Sequence, residues 1–229
     1  MRGLSATILG LGLLLAAPAS RAQPTLIQCI VSSENPLLRA EGKAERVGDI
    51  LLNCVGGDPE TVRFINLSIL FNGNLTSNLT GDDPDDTEAL LLLDEPRAAF
   101  ENVANRVKYQ GQVIGTPGVA PGAPGGPGAP GSGNVYRGRR QPGARNRLDF
   151  SGIPYVPEPH GGTRVLRIVN IRLDMTTYQT NQESPPPVTA TVFSNPPALL
   201  FLNFPSVVVG APTKSFETAV DQAFGPFQM

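Results

Sequence analysis

Two clusters of charge and one pair of sulfurs are the residues here whose types and spacing could do chemistry. Asp82, Asp83, Asp85, Asp86 and Glu88 put five carboxylates into seven consecutive positions. Crowded carboxylates beside backbone carbonyls are what calcium takes, roughly six to eight oxygens at a time. The spacing lacks the central glycine and terminal glutamate of an EF-hand loop, so the competing reading is a solvated hairpin loop. Arg137, Arg139, Arg140, Arg145 and Arg147 place five guanidinium groups within eleven residues. Such an arm could grip a polyanion, for instance an acidic polysaccharide, or simply keep a loop in water, and the second is the ordinary fate of a charge run.

Cys29 and Cys54 are the only cysteines. With one histidine, His160, and no third thiol, a zinc site lacks ligands, and the pair reads as a single disulfide. Closing that loop is worth about 3 kcal/mol on the chain-entropy model. Both cysteines sit in strand-like runs, so the bond staples either neighbouring strands or the two sheets of a sandwich. Catalytic signals are sparse. His160-Gly161-Gly162 is similar to the oxyanion segment of some esterases, but no G-x-S-x-G elbow supplies a nucleophile. A carboxylate-pair glycosidase needs no histidine, yet the chain has no tryptophan and only four tyrosines for stacking on a sugar. The expectation is a protein that is not an enzyme and has no cofactor, calcium being the one possible exception.

These residues are carried by a chain that opens as a secretory leader. Arg2 precedes an apolar run over residues 4–17, and Ser20-Arg21-Ala22 forms a small-x-small cleavage pattern before Gln23. The run is shorter than the roughly 20 residues a bilayer span needs. Residues 1–22 therefore read as a cleaved signal peptide, and the mature protein as secreted or displayed at the cell surface with no membrane span. A lipid anchor at Cys29 is disfavoured, because Gln28 is too bulky for the position before a lipobox cysteine. The formal net charge of -2 falls by two further on loss of Arg2 and Arg21, which makes a poor ligand for nucleic acid.

Residues 23–229 are enough for one domain, and their periodicity is that of strands. Runs at 25–31, 47–55, 61–71, 88–93, 106–114, 163–173, 188–193 and 198–209 are rich in Val, Ile, Leu, Phe and Thr, with Gly, Pro, Asn and Asp between them. In 61–71, Ile65, Leu67, Ile69 and Phe71 form one apolar face. In 163–173 the alternation is broken at Leu166 and Arg167, which suggests a bulge or an edge strand. Asn72-Gly73-Asn74 reads as a hairpin turn. The expected fold is all-β, a single antiparallel β-sandwich of Ig-like or Greek-key type. A Pro/Gly/Arg-rich disordered loop interrupts it over 116–145, where too little can be buried. Phe216, Ala219, Val220, Ala223 and Phe224 fall at helical spacing before Gly225-Pro226, a short C-terminal helix. Asn66, Asn74 and Asn78 each begin an N-x-[ST] acceptor pattern.

The run Asn35-Pro36-Leu37-Leu38-Arg39-Ala40-Glu41-Gly42, with residues 45–54, 87–96 and 164–172, resembles a group of uncharacterised exported bacterial proteins. The resemblance implies a secreted β domain with its two cysteines near the start, and brings no catalytic residue or ligand. The function expected from all of this is a non-catalytic extracellular structural or adhesive module, with a protein partner or self-association. The alternative is a secreted module that binds calcium or acidic polysaccharide.

Overall fold

A computed structural model describes residues 26–79, 85–94, 117–118, 134–158, 161–178 and 185–214. The leader expected at 1–22, the strand expected at 106–114, Asp82, Asp83, His160 and the helix expected near the C-terminus lie outside the described residues. The fold is all-β. The fourteen strands among the described residues are β1 (Ile27–Ser33), β2 (Leu37–Arg39), β3 (Glu45–Arg46), β4 (Ile50–Val55), β5 (Arg63–Phe71), β6 (Asn74–Leu75), β7 (Asp86–Leu93), β8 (Val135–Arg140), β9 (Arg147–Tyr155), β10 (Arg164–Val169), β11 (Arg172–Asp174), β12 (Val188–Asn195), β13 (Leu200–Asn203) and β14 (Ser206–Thr213). Eleven form one sheet in the order β13-β1-β4-β10-β7-β8-β9-β5-β12-β14-β2, and β3-β11-β6 form a second.

That order dictates the shape. β13 and β14 stand nine places apart, roughly 40 Å if the sheet were flat. The chain passes between them through Phe204 and Pro205 alone, a connection that reaches about 11 Å at most. The sheet therefore curls until its ends meet. Ser33 Oγ at the end of β1 donates to Val208 O on β14 at 2.6 Å, and Gly48 N donates to Val209 O at 2.8 Å. The expectation of a single antiparallel sandwich is met in strand content. What is observed is one large mixed sheet, because β13 pairs parallel with β1 and β2 parallel with β14.

The curl buries one face of nearly every strand. Ile65, Leu67, Ile69 and Phe71 of β5 all point inward, as their spacing indicates. They meet Ile153, Phe150 and Leu148 of β9 on one side and Val192 and Ala190 of β12 on the other. Such cross-strand apolar pairs are the unit of sheet stabilisation. Across the core, Cys29 and Cys54 are directly opposed on β1 and β4, fully buried and joined as a disulfide with Cα atoms 4.0 Å apart. The bond staples neighbouring strands.

Three local expectations are corrected. The run 163–173 is neither an edge nor one strand. β10 lies between β4 and β7 with Leu166 and Ile168 fully buried, and Asn170, at φ 60°, turns the chain into β11 of the small sheet. Asn72-Gly73 is not a hairpin: it carries the chain from β5 to β6, which pairs with β11 instead. The Asn72 carboxamide accepts from Tyr178 Oη and from Thr189 N, binding this crossing to β12. The loop expected at 116–145 contains β8, and Gly118 N donates to Gly152 O at 2.8 Å. β8 was hidden by Gly138, which stands at an inward position. A Cβ there would come within 2.9 Å of Leu148 and Phe150, so the neighbours fill the space that an apolar side chain would otherwise announce.

Tyr136 and Tyr155 are buried in the core, and their hydroxyls have no hydrogen-bond partner among the described residues. Burial pushes the phenols of Tyr136, Tyr155 and Tyr178 up to about 12. The unfolded chain sheds these protons near pH 10 while the folded chain keeps them to about 12. Stability is thus intact below pH 10 and falls as pH rises towards 12, by up to about 1.4 kcal/mol per pH unit for each tyrosine. Urea unfolding across pH 8–12 is expected to show this decline, and Tyr155→Phe is expected to lessen it. At neutral pH that substitution should be neutral or stabilising, since it removes a buried hydroxyl with no hydrogen-bond partner among the described residues; a clear loss of stability would show that the hydroxyl has a partner.

Candidate functional site

The acidic run and the arginine run meet each other. β7 and β8 are antiparallel neighbours, with Asp86 opposite Arg139 in register. Arg139 Nε lies 3.3 Å from Asp86 Oδ1, and Arg140 Nη2 lies 3.9 Å from Asp85 Oδ1. The backbone repeats the second link, Arg140 N donating to Asp85 O at 2.8 Å. Arg147 turns to its own strand, donating from Nε to Asp149 Oδ1 at 2.8 Å and from Nη2 to Ser68 Oγ at 3.0 Å. Glu88, on the same outward face of β7, accepts from Arg172 Nε at 2.9 Å and from the backbone N of Asn78 at 3.2 Å. Arg137 stands opposite Leu90, and Arg145 is exposed in the turn before β9.

A bulge lets the two runs pair. The β7–β8 register shifts between Asp86 and Leu90, and the buried Thr87 hydroxyl closes the gap by donating to Gly138 O at 2.7 Å. Asp85, Asp86 and Glu88 thus lie on one surface with Arg139, Arg140 and Arg172. Among the described residues, no group of three or more His, Cys, Asp or Glu side chains is arranged to hold a metal ion.

Two charged clusters escaped the sequence reading, because the central pairs, Asp49 with Arg167 and Asp94 with Arg164, join residues far apart in the chain. Asp49, only 3% exposed, accepts from Arg167 Nε and Nη2 at 3.0 and 2.5 Å and from Arg46 Nη2 at 3.2 Å. It pins the start of β4 to β10. At the other end of β10, Arg164 donates from Nη1 to Asp94 and to Glu158, the latter at 2.9 Å, and from Nε to Val156 O at 2.7 Å. Asp94 also accepts from Val165 N. Two carboxylates on one guanidinium form a clasp that joins the end of β7, the start of β10 and the segment after β9. The only visible signals for these clusters were Arg164 and Arg167, charges inside an otherwise apolar run.

Of the acceptor asparagines, Asn66 is occupied at both ends of its amide. Its Nδ2 donates to Asn195 O and its Oδ1 accepts from Gly152 N, inside the β5–β9 bulge. Asn78 is exposed and donates to Glu88 Oε2 at 3.3 Å. In comparisons with known proteins, no family model and no curated protein matches this chain.

Removing the carboxylate of Asp49 leaves Arg167 without its partner against the sheet. Asp49→Ala is expected to cost about 3 kcal/mol in chemical denaturation, whereas pairing it with Arg167→Met should recover part of that loss. A double variant no better than the single would remove the ion pair as the cause.

Proposed function

We propose that this chain is a non-catalytic extracellular structural or adhesive module, exported by its leader and held together by one disulfide. The observation that carries the reading is the pairing of the acidic run with the arginine run. Asp85 and Asp86 of the one and Arg139 and Arg140 of the other are joined across adjacent strands, which supports a role for these charges within the sheet. Individual exposed ion pairs contribute little to stability, while opposite charges facing each other on neighbouring strands favour their pairing. Supporting it further, the disulfide is fully buried, as suits an oxidising compartment. Among the described residues no helix is long and apolar enough to cross a membrane. We read the curled sheet, whose inner faces share one core, as a sandwich-like unit in the manner of extracellular Ig-like domains.

Calorimetry with calcium chloride and with an acidic polysaccharide is the discriminating measurement. No saturable heat is expected from either. A calcium isotherm abolished by Asp86→Asn, or a polysaccharide isotherm abolished by Arg139→Gln, would turn the protein into a ligand-binding module. Replacing both cysteines by alanine is expected to lower unfolding free energy by about 3 kcal/mol with the sheet retained by circular dichroism.

A further inference from the structure

Ser68 stands at the centre of a depression on the outward face of the sheet. Three neighbouring strands set it by register: Phe193 of β12 stands opposite Ser68 of β5, which stands opposite Asp149 of β9, and the next row runs Thr191, Leu70, Arg147. A serine between a phenylalanine and an aspartate leaves a gap that neither side chain fills. The depression measures about 270 Å³ and is lined by Ser68, Ile69, Leu70, Arg147, Phe193 and Asn195. Phe193 is 49% exposed and Leu70 41%. Single exposed apolar residues are ordinary, but these two border polar groups with hydrogen bonds to spare. Arg147 gives Nε to Asp149 Oδ1 and Nη2 to Ser68 Oγ, while its Nη1, the other Asp149 oxygen and the exposed Asn195 carboxamide have no partner among the described residues.

We propose that this depression binds one pyranose unit of a neutral polysaccharide, with Phe193 as the stacking face and Arg147, Asp149, Ser68 and Asn195 as the hydrogen-bonding rim. Arg147 and Asp149 balance each other's charge at 2.8 Å, so a charged ligand meets no net counter-charge. The rim holds donors on Arg147, acceptors on Asp149, and groups that do both on Ser68 and Asn195. A wholly apolar ligand would strip water from the ion pair and return no hydrogen bond. An extended peptide finds no free strand edge, because β5 is paired on both sides. A pyranose meets both demands: its hydroxyls donate and accept around the rim, while the C–H groups of one ring face are apolar and lie flat on an aromatic ring. The volume falls just under the roughly 300 to 1,000 Å³ of sites that enclose a drug-sized ligand, which suits one ring of a polymer that continues across the open surface. Tyr136, Tyr155 and Tyr178 are buried and the chain lacks tryptophan, so a phenylalanine supplies the exposed stacking face. The inference rests on the adhesive reading above and names its ligand class.

Equilibrium binding of the full chain to sensor surfaces coated with hydroxyethyl cellulose, arabinoxylan, galactomannan and dextran tests it, each in low salt and in molar salt. Saturable binding to at least one of these surfaces is expected, and salt is expected to leave it in place. Phe193→Ala should weaken that binding by about ten-fold or more, since the ring face is no longer there to be covered, and Phe193→Tyr should restore it. Arg147→Gln should weaken it as well. The melting temperature should hold in Phe193→Ala, whose ring is half exposed in the parent, and Phe201→Ala, which removes an exposed ring on β13, should bind as the parent does. No binding to any of the surfaces, binding abolished by molar salt, or binding untouched by Phe193→Ala would overturn the inference. So would an equal loss in Phe201→Ala, the mark of general apolar adhesion. Those outcomes leave the structural-module reading standing. Release of reducing sugar from a bound surface would instead unseat the non-catalytic reading while leaving the site in place.

Discussion

The two residues Phe204 and Pro205 join strands that stand nine places apart in the sheet order, and that short link makes the sheet curl. Once the ends are brought together, each strand has an inner and an outer face, and the period-2 alternation of side chains acquires a direction. Inward residues share one core, from Ile27 and Cys29 on β1 through Leu166 on β10 to Val192 on β12. The opposition of Cys29 and Cys54 then needs nothing beyond antiparallel register. The small sheet β3-β11-β6 contributes Leu75 and Leu173 to the same core. A flat sheet of these strands would leave both cysteines and most of these apolar residues in water.

Closure also sorts the charges. On β7, β8, β9 and β11, arginines and carboxylates pair outside the core, where partial solvation keeps desolvation modest. Asp49 is the exception, buried and served by two arginines. Its position beside β4 and β10 explains the arrangement: a lone carboxylate there would be costly, while one with three hydrogen bonds ties two central strands together. The flank made by β13, β1 and β4 carries no charged residue and is left to apolar and uncharged polar side chains. Stability and surface identity thus come from the same partition.

Much of this was visible in the order of residues. Ile65, Leu67, Ile69 and Phe71 announce a half-buried strand, because alternation depends only on the residue and its near neighbours. The disulfide followed from elimination, two cysteines with no other soft ligand nearby. What misled were residues whose role is set by distant partners. Gly138 looked like loop and is strand, because Leu148 and Phe150 occupy its side-chain space. Asn72-Gly73 looked like a hairpin and is a crossing, because Thr189 and Tyr178 hold the asparagine. Arg167 looked like a defect in a strand and is the partner of Asp49, far away in the chain.

Strand content, the sulfur pairing and the inward face of β5 are local properties, carried by side-chain type at period two, and they are legible in the sequence. Strand order, the parallel pairs at β13 and β2, the meeting of the acidic and arginine runs and the uncharged flank belong to the tertiary structure. They depend on which strands lie side by side. That choice is made by long-range packing and by connections too short to allow another arrangement, and neither leaves a periodic trace along the chain.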